Sequence, residues 1–211
     1  MDGQPDARRA LHEIRKMTVD DCPAIARVQA RAFFDDPLQV WALPDASTRL
    51  LILERVFELL SRYSSVPRGE SYTDVTLSCA AFWVPPGPFE IDREAAVAMA
   101  PMLDLLGEAN VRFRAAEDTM RASRPTELHF YLQGLGTDPP RQGRGLASAA
   151  LQPVLRRCDA EGIPAYLEST KERNVGFYEG HGFAVVGCEQ IPLGGPPLWL
   201  MWREPRVAVQ A

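Results

Sequence analysis

The stretch His129 to Ala160, HFYLQGLGTDPPRQGRGLASAALQPVLRRCDA, constrains this chain more than any other. It predicts a strand from His129 to about Gly136, a turn through Asp138, Pro139 and Pro140, and a helix from about Arg144 to Ala160. The helix starts inside Gln142-Gly143-Arg144-Gly145-Leu146-Ala147. A strand, a short glycine-bearing turn and a helix bring unpaired N–H groups and the positive helix end to one point, a geometry that holds phosphate. Glycine at 143 and 145 lets backbone approach the ligand without a Cβ in the way. Two familiar phosphate loops are excluded. A P-loop places Lys and then Ser or Thr after its glycines, and neither follows here. A dinucleotide fingerprint opens an early βαβ unit and is followed by an acidic residue, whereas this segment is late and framed by Gln142 and Arg144.

Gln142-x-x-Gly145-x-Ala147 after a strand resembles the acyl-CoA pyrophosphate loop of the GCN5-related N-acetyltransferase superfamily. The resemblance continues in order through Leu167-Glu168-Ser169 and Asn174-Val175-Gly176-Phe177-Tyr178-Glu179-Gly180-His181-Gly182-Phe183, and is tight over residues 130–187. Within the superfamily it runs nearest to members that acetylate an aminonucleoside antibiotic. The features shared with them are the proline-bearing turn, Pro164-Ala165-Tyr166-Leu167-Glu168, and Arg173-Asn174 before Phe177-Tyr178.

The resemblance implies an α/β (α+β) fold, with a central mixed, mostly antiparallel sheet of six to seven strands flanked by helices. It implies acetyl-CoA as cosubstrate and transfer of the acetyl group to a primary amine of a small molecule in a ternary complex. A protein or peptide acceptor, and a module that binds acyl-CoA without transferring it, are the alternatives. Backbone at Leu135 and Gly136 is expected to meet the pantetheine arm. Gln142, Gly143, Arg144, Gly145, Leu146 and Ala147 are expected at the pyrophosphate, with Asn174 and Phe177 nearby. Tyr178 is the expected acid at the leaving thiol, since a phenol stays protonated at neutral pH. Phe33, Trp41 and Tyr131 are expected to wall the acceptor.

The general base is less defined. Glu127 and His129 share a strand face with Tyr131 under a period of two, and either could take the amine proton through water. His181 and Glu168 are weaker candidates, Glu168 having a solvent-facing alternative. The chemistry requires no metal and none is expected.

Length and composition bound the rest. At 211 residues, 46% of them apolar, the chain reads as a single domain with a sizeable core. No apolar run approaches a membrane span, and Met1-Asp2-Gly3-Gln4-Pro5-Asp6 does not read as a secretory signal, so a cytoplasmic protein is expected. The formal charge of −5 comes with no basic cluster, which argues against nucleic acid as a partner. Monomer and homodimer remain equal alternatives. Cys22, Cys79, Cys158 and Cys188 fit no zinc spacing and read as reduced thiols.

Further elements follow from pattern. Residues 1–11 read as a leader and His12 to Met17 as a first strand. Asp20-Asp21-Cys22-Pro23 starts a helix whose buried face carries Ile25, Val28, Ala32 and Phe33. Ser47 to Tyr63 is a second helix, capped by Asp45 or Ser47, with Leu50 and Leu51 among its apolar positions. Gly69 to Thr73 and Val75 to Val84 form two strands around an Asp74 turn, ended by Pro85-Pro86-Gly87-Pro88. Val97 to Met120 is helical, interrupted near Pro101 and Gly107. Ala165 to Ser169, Phe183 to Gln190 and Leu198 to Arg203 are the last strands, and Thr170 is the expected cap of a short helix between the first two.

Overall fold

The computed structural model describes residues 13–87 and 93–206, so the predicted leader and the end of the proline turn lie outside the described residues. Its strands are β1 (Ile14–Lys16), β2 (Ser71–Asp74), β3 (Cys79–Val84), β4 (Phe130–Thr137), β5 (Ala165–Ser169), β6 (Ala184–Gln190) and β7 (Pro197–Arg203). They form one seven-stranded sheet in the order β1-β2-β3-β4-β5-β7-β6. Only β4 and β5 pair in parallel; every other neighbour is antiparallel. The α-helices are α1 (Cys22–Ala32), α2 (Pro37–Ala42), α3 (Ala46–Leu60), α4 (Arg93–Met99), α5 (Pro101–Leu106), α6 (Ala109–Ser123), α7 (Leu146–Glu161) and α8 (Val175–Glu179).

Local chemistry sets many of these boundaries. Pro23 sits in the first turn of α1, behind the acidic pair Asp20 and Asp21. Asp36 caps α2 by accepting from the Leu38 N–H at 3.0 Å, and Asp45 caps α3 through the Ser47 N–H at 2.9 Å. A π-helical turn, Ser61–Ser65, extends α3 close to its predicted end. Pro101 and Gly107 divide the third helical stretch as expected. The Asp74 turn is held because its carboxylate accepts from the Ser78 and Cys79 N–H groups, each at 2.7 Å. Other expectations shift. The first strand is shorter than predicted, Ala32 and Phe33 are only half-buried, and Leu50 and Leu51 face solvent at 41% and 73% exposure. Thr170 caps no helix; its hydroxyl donates instead to Asp36 Oδ1 at 2.8 Å.

The main core lies between the sheet and α7. Leu146, Ala150, Leu151, Val154 and Leu155 meet Trp83, Phe130, Leu132 and Leu167. Each large side chain buried this way contributes about 1.5–3 kcal/mol. Pro153 sits inside α7 without ending it, at the cost of one backbone donor. Cys22, Cys79 and Cys158 are free and buried, and Cys188 is free and exposed. On the opposite sheet face, Tyr131, Tyr166, Leu198 and Leu200 pack with Leu38 and Trp41 of α2 and Ala116 and Met120 of α6.

One irregularity decides how β4 presents its residues. Phe82 pairs with Gly134 but Trp83 pairs with Leu132, leaving Gln133 as the extra residue of a bulge. A uniform period of two puts Leu135 on the Tyr131 face. Past the bulge Leu135 instead joins Phe130 and Leu132 against α7. Gly136 then faces α1, where an added Cβ would lie 2.2 Å from Gln29 Oε1 and 3.1 Å from Ala32 Cβ. Gln29 is fully buried and donates to the Ala80 carbonyl, so it has little room to retreat. Gly136→Ala is therefore expected to destabilise the fold by about 1–3 kcal/mol, read as a lower urea midpoint with an unchanged slope.

Candidate active site

The parallel ladder between β4 and β5 is short. It pairs Phe130 with Ala165, Tyr131 with Tyr166 and Leu132 with Leu167, and then stops. Both strands continue, to Thr137 and Ser169, so they diverge beyond Leu132 and leave backbone groups facing one another without partners across the gap. An opening in a sheet interior exposes unsatisfied N–H and C=O groups along a line, which suits an extended ligand carrying amides.

A cleft of about 600 Å³ runs from this opening to the start of α7. Gly145 is the N-cap residue of α7, left-handed at φ 81°, and no side chain caps the helix. Gly143 is also left-handed, at φ 74°. The first-turn N–H groups are thus available to an anion.

Most of the expected cofactor residues line this cleft: Leu135, Gly136, Gln142, Gly143, Gly145, Leu146, Ala147, Asn174 and Phe177, with Tyr178 at its inner side. Arg144 is not among the lining residues; Arg141, Lys171 and Arg173 are. Asp35 pairs with Lys171 at 2.6 Å and with Arg173 at 3.0 Å, while Arg31 pairs with Asp138 at 2.7 Å. The α1–α2 connection is therefore tied to loops at the C-terminal ends of both β4 and β5. Buried Arg49 donates to the Phe34 carbonyl of the same connection at 3.3 Å, and to the Leu43 and Pro44 carbonyls between α2 and α3 at 2.6 and 2.9 Å.

Tyr178 is 8% exposed and stacks edge-on against Phe177 and Phe183. Its hydroxyl has no hydrogen-bond partner among the described residues. Burial, and secondarily the Asp36 carboxylate, push the phenol well above its ordinary value. His181 packs on Phe177 and contacts Ser148 Oγ at 3.0 Å; burial and two nearby arginines lower it, favouring neutral imidazole.

The expected bases separate from the cleft. His129 lies before β4 begins, its Nδ1 at 2.6 Å from the Glu127 carbonyl and its ring against Tyr166 and Trp202. Burial lowers its pKa. The Glu127 side chain is exposed. Neither residue lines the cleft. Of the acceptor-wall residues, Tyr131 and Trp41 share the cluster on the sheet face opposite α7, with the Trp41 Nε1 donating to the Leu193 carbonyl. Phe33 packs on Phe57 of α3, 5.3 Å between ring centres, and lies outside the cleft lining.

Glu168 takes on unexpected prominence. It sits on β5 just past the last residue paired with β4, two positions after Tyr166 and hence on the same face. Its Oε1 is buried without a hydrogen-bond partner, as is the hydroxyl of Tyr166. Burial raises the carboxyl to about 7; the phenols of Tyr131 and Tyr166 and the charge of Arg124 oppose the rise. A charged residue inside an otherwise apolar strand was the sequence signal for it. Among the described residues, no three His, Cys, Asp or Glu side chains gather to hold a metal ion, and no helix is long and apolar enough to cross a membrane.

A seven-stranded sheet opening between its parallel pair, with an uncapped glycine-led helix at one end of the gap, defines an acyltransferase class. The chain belongs to the Acetyltransferase (GNAT) family, whose profile matches residues 53–183. It is an acyltransferase enzyme of that family. It is 26% identical over 213 residues to an uncharacterized N-acetyltransferase of Schizosaccharomyces pombe, covering 93% of this chain and 85% of the relative. A Corynebacterium glutamicum structure named histone acetyltransferase HPA2 and related acetyltransferase superposes with a TM-score of 0.69 at 24% identity, covering 93% of this chain and 97% of the other. Arylalkylamine N-acetyltransferase 2 from Aedes aegypti superposes at 0.59 with 12% identity, covering 92% and 99%. These structural likenesses concern the fold.

Proposed function

We propose that the protein transfers the acetyl group of acetyl-CoA to a primary amine of a small molecule. The observation that carries this reading is the opening between β4 and β5, lying between the uncapped start of α7 and Tyr178, with Glu168, itself outside the cleft lining, the first β5 residue past the paired ladder. The residues present fit the cosubstrate. Unpaired backbone beyond Leu132 suits the amide-bearing pantetheine arm, the N–H groups after Gly145 suit the pyrophosphate, and Arg141, Lys171 and Arg173 add positive charge at the mouth. Acetyl-CoA supplies an acetyl group activated as a thioester.

The chain supplies the rest. A carboxyl at about 7 is matched to take a proton from an amine near neutral pH, and Glu168 is the buried group that has such a value. In the transfer, a nitrogen–carbon bond forms to the acetyl carbon, the carbon–sulfur bond breaks, and the amine proton passes to Glu168. Sulfur departs as thiolate. Tyr178 faces it as a phenol held protonated by burial. An alkyl thiol has a pKa near 8.5, below that of the raised phenol, so Tyr178 serves the thiolate as a hydrogen-bond donor more than as a source of a free proton. His129 becomes part of the aromatic wall in this reading, alongside Tyr131, Tyr166 and Trp41.

The turn through Pro139 and Pro140, the Pro164-Ala165-Tyr166-Leu167-Glu168 strand and Arg173-Asn174 are similar to puromycin N-acetyltransferase, which supports aminonucleosides and other antibiotics as candidate acceptors. The test is release of coenzyme A with mass detection of product across aminonucleosides, aminoglycosides, polyamines, arylamines, amino acids and a basic peptide. Saturable acetylation of one small amine, at least about tenfold above the peptide in kcat/KM, is expected. Preference for the peptide would transfer the reading to a protein acetyltransferase. Replacing Tyr178 by Phe is expected to lower kcat about 10- to 100-fold with acetyl-CoA affinity within twofold. Equal turnover would remove Tyr178 from the thiolate.

A further inference from the structure

One polar pair at the cleft has no part in the acetyl transfer described above. Ser148, the third residue of α7, is half-buried and lines the cleft together with Gly145, Leu146 and Ala147. Its Oγ lies 3.0 Å from Nε2 of His181, which sits in the turn between α8 and β6. The imidazole is pinned at this place. Its ring stacks edge-on against Phe177, 4.9 Å between ring centres, and Phe177 lines the same cleft. The His181 N–H donates to the Tyr178 carbonyl at 2.9 Å, and the His181 carbonyl accepts from Arg203 Nε at 3.0 Å. Arg203 is in turn fixed by Asp159 of α7 at 2.9 Å. The Phe177 and Arg203 contacts already tie this turn to its surroundings. What the Ser148 contact adds is control over where a cleft-lining hydroxyl proton points.

Resting on the reading that acetyl-CoA lies here with its pyrophosphate at the start of α7, the direction of this hydrogen bond follows. An ionised phosphate only accepts, so Ser148 gives it the one hydroxyl proton. The Ser148 oxygen is then left as an acceptor 3.0 Å from Nε2, and two bare lone pairs at that distance would repel. His181 therefore carries a proton on Nε2 and donates it to Ser148. We infer that His181 is a positioning residue for the cosubstrate: it turns the Ser148 hydroxyl onto a pyrophosphate oxygen and so adds a side-chain donor to the N–H groups of the first turn. Hydrogen bonds in series that end on an anion strengthen one another in a half-buried place. The pair makes the cleft favour a thioester that carries the pyrophosphate over the bare pantetheine thioester.

The experiment measures Kd for acetyl-CoA by calorimetry and for S-acetylpantetheine, which lacks the pyrophosphate, by NMR titration. Ser148→Ala is expected to weaken acetyl-CoA about tenfold and His181→Leu about three- to tenfold, with S-acetylpantetheine within about twofold in each. The double variant is expected to match Ser148→Ala, since His181 acts only through that hydroxyl. His181→Gln places an amide N–H close to the position of Nε2 and is expected to recover most of the affinity lost in His181→Leu. Nitrogen NMR of the acetyl-CoA complex is expected to show His181 protonated at Nε2. Ser148→Ala removes one oxygen and installs a better helix former, so it and the nitrogen shifts decide the matter if His181→Leu does not fold. Equal weakening of both thioesters would make the pair a structural tie between α7 and α8 and overturn the inference. Unchanged acetyl-CoA affinity in Ser148→Ala, or a proton on Nδ1 with Nε2 bare, overturns it as well. The acetyl-CoA reading survives each of these results. Failure of the unmodified protein to bind acetyl-CoA overturns both.

Discussion

Glu168→Gln is expected to lower kcat by about 100- to 1000-fold near pH 8, the scale of a lost general base. Acetyl-CoA affinity should stay within about twofold, because the carboxylate lies beyond the paired end of β5 on the acceptor face. The same substitution is expected to stabilise the protein, and the sign follows from linkage. Burial raises Glu168 from an ordinary 4.5 to about 7, so between those values the folded chain holds a proton that the unfolded chain has released. Folding stability therefore falls as pH rises through that window, and above it the buried carboxylate costs up to about 3 kcal/mol. Glutamine removes that cost. A Tm higher by several degrees at pH 8, with no difference at pH 4, is the expected pair of results. In the unmodified enzyme, kcat/KM should rise with pH through about 7, and that limb should vanish in the variant. Loss of stability together with unchanged turnover would remove Glu168 from the chemistry and return it to packing.

Gly145→Asp is expected to weaken acetyl-CoA at least about 100-fold. The substitution places a carboxylate at the N-cap of α7, where its oxygens can take the first-turn N–H groups and repel the pyrophosphate. Two opposing local effects keep the fold near its original stability. The left-handed backbone at φ 81° costs an Asp roughly 1–2 kcal/mol, and a new helix cap returns about 1 kcal/mol. Isothermal titration should show the affinity loss and thermal melting a change of only a few degrees. Retained affinity would mean that the start of α7 does not hold the phosphates.

The glycine loop was legible in the sequence because everything that makes it is local: two glycines in the left-handed region, a strand behind and an amphipathic helix ahead. The same holds for the Asp74 turn, the breaks at Pro101 and Gly107, and β5, which matched its predicted bounds. A period of two puts Leu135 on the Tyr131 face unless a bulge intervenes, and where the bulge falls, at Gln133, is set by how β3 pairs with β4, a relation between distant residues. Glu168 looked compatible with solvent because two of the groups beside it, Tyr131 and Arg124, come from distant parts of the sequence. Phe33 was expected at the acceptor but meets Phe57, a contact created by the fold of α1 against α3. Arg144 and Arg141 differ only in which way a turn points them, and the turn through Pro139–Arg141 brings Arg141 to the cleft.

Amide hydrogen exchange with and without saturating acetyl-CoA tests most directly whether the sheet opening is the cosubstrate site. Protection is expected at residues 133–137 of β4, at 143–149 around the start of α7, and at 168–175 after β5, with little change in β1, β2 or β6. Protection elsewhere, or none in these three segments while acetyl-CoA is bound, would contradict it.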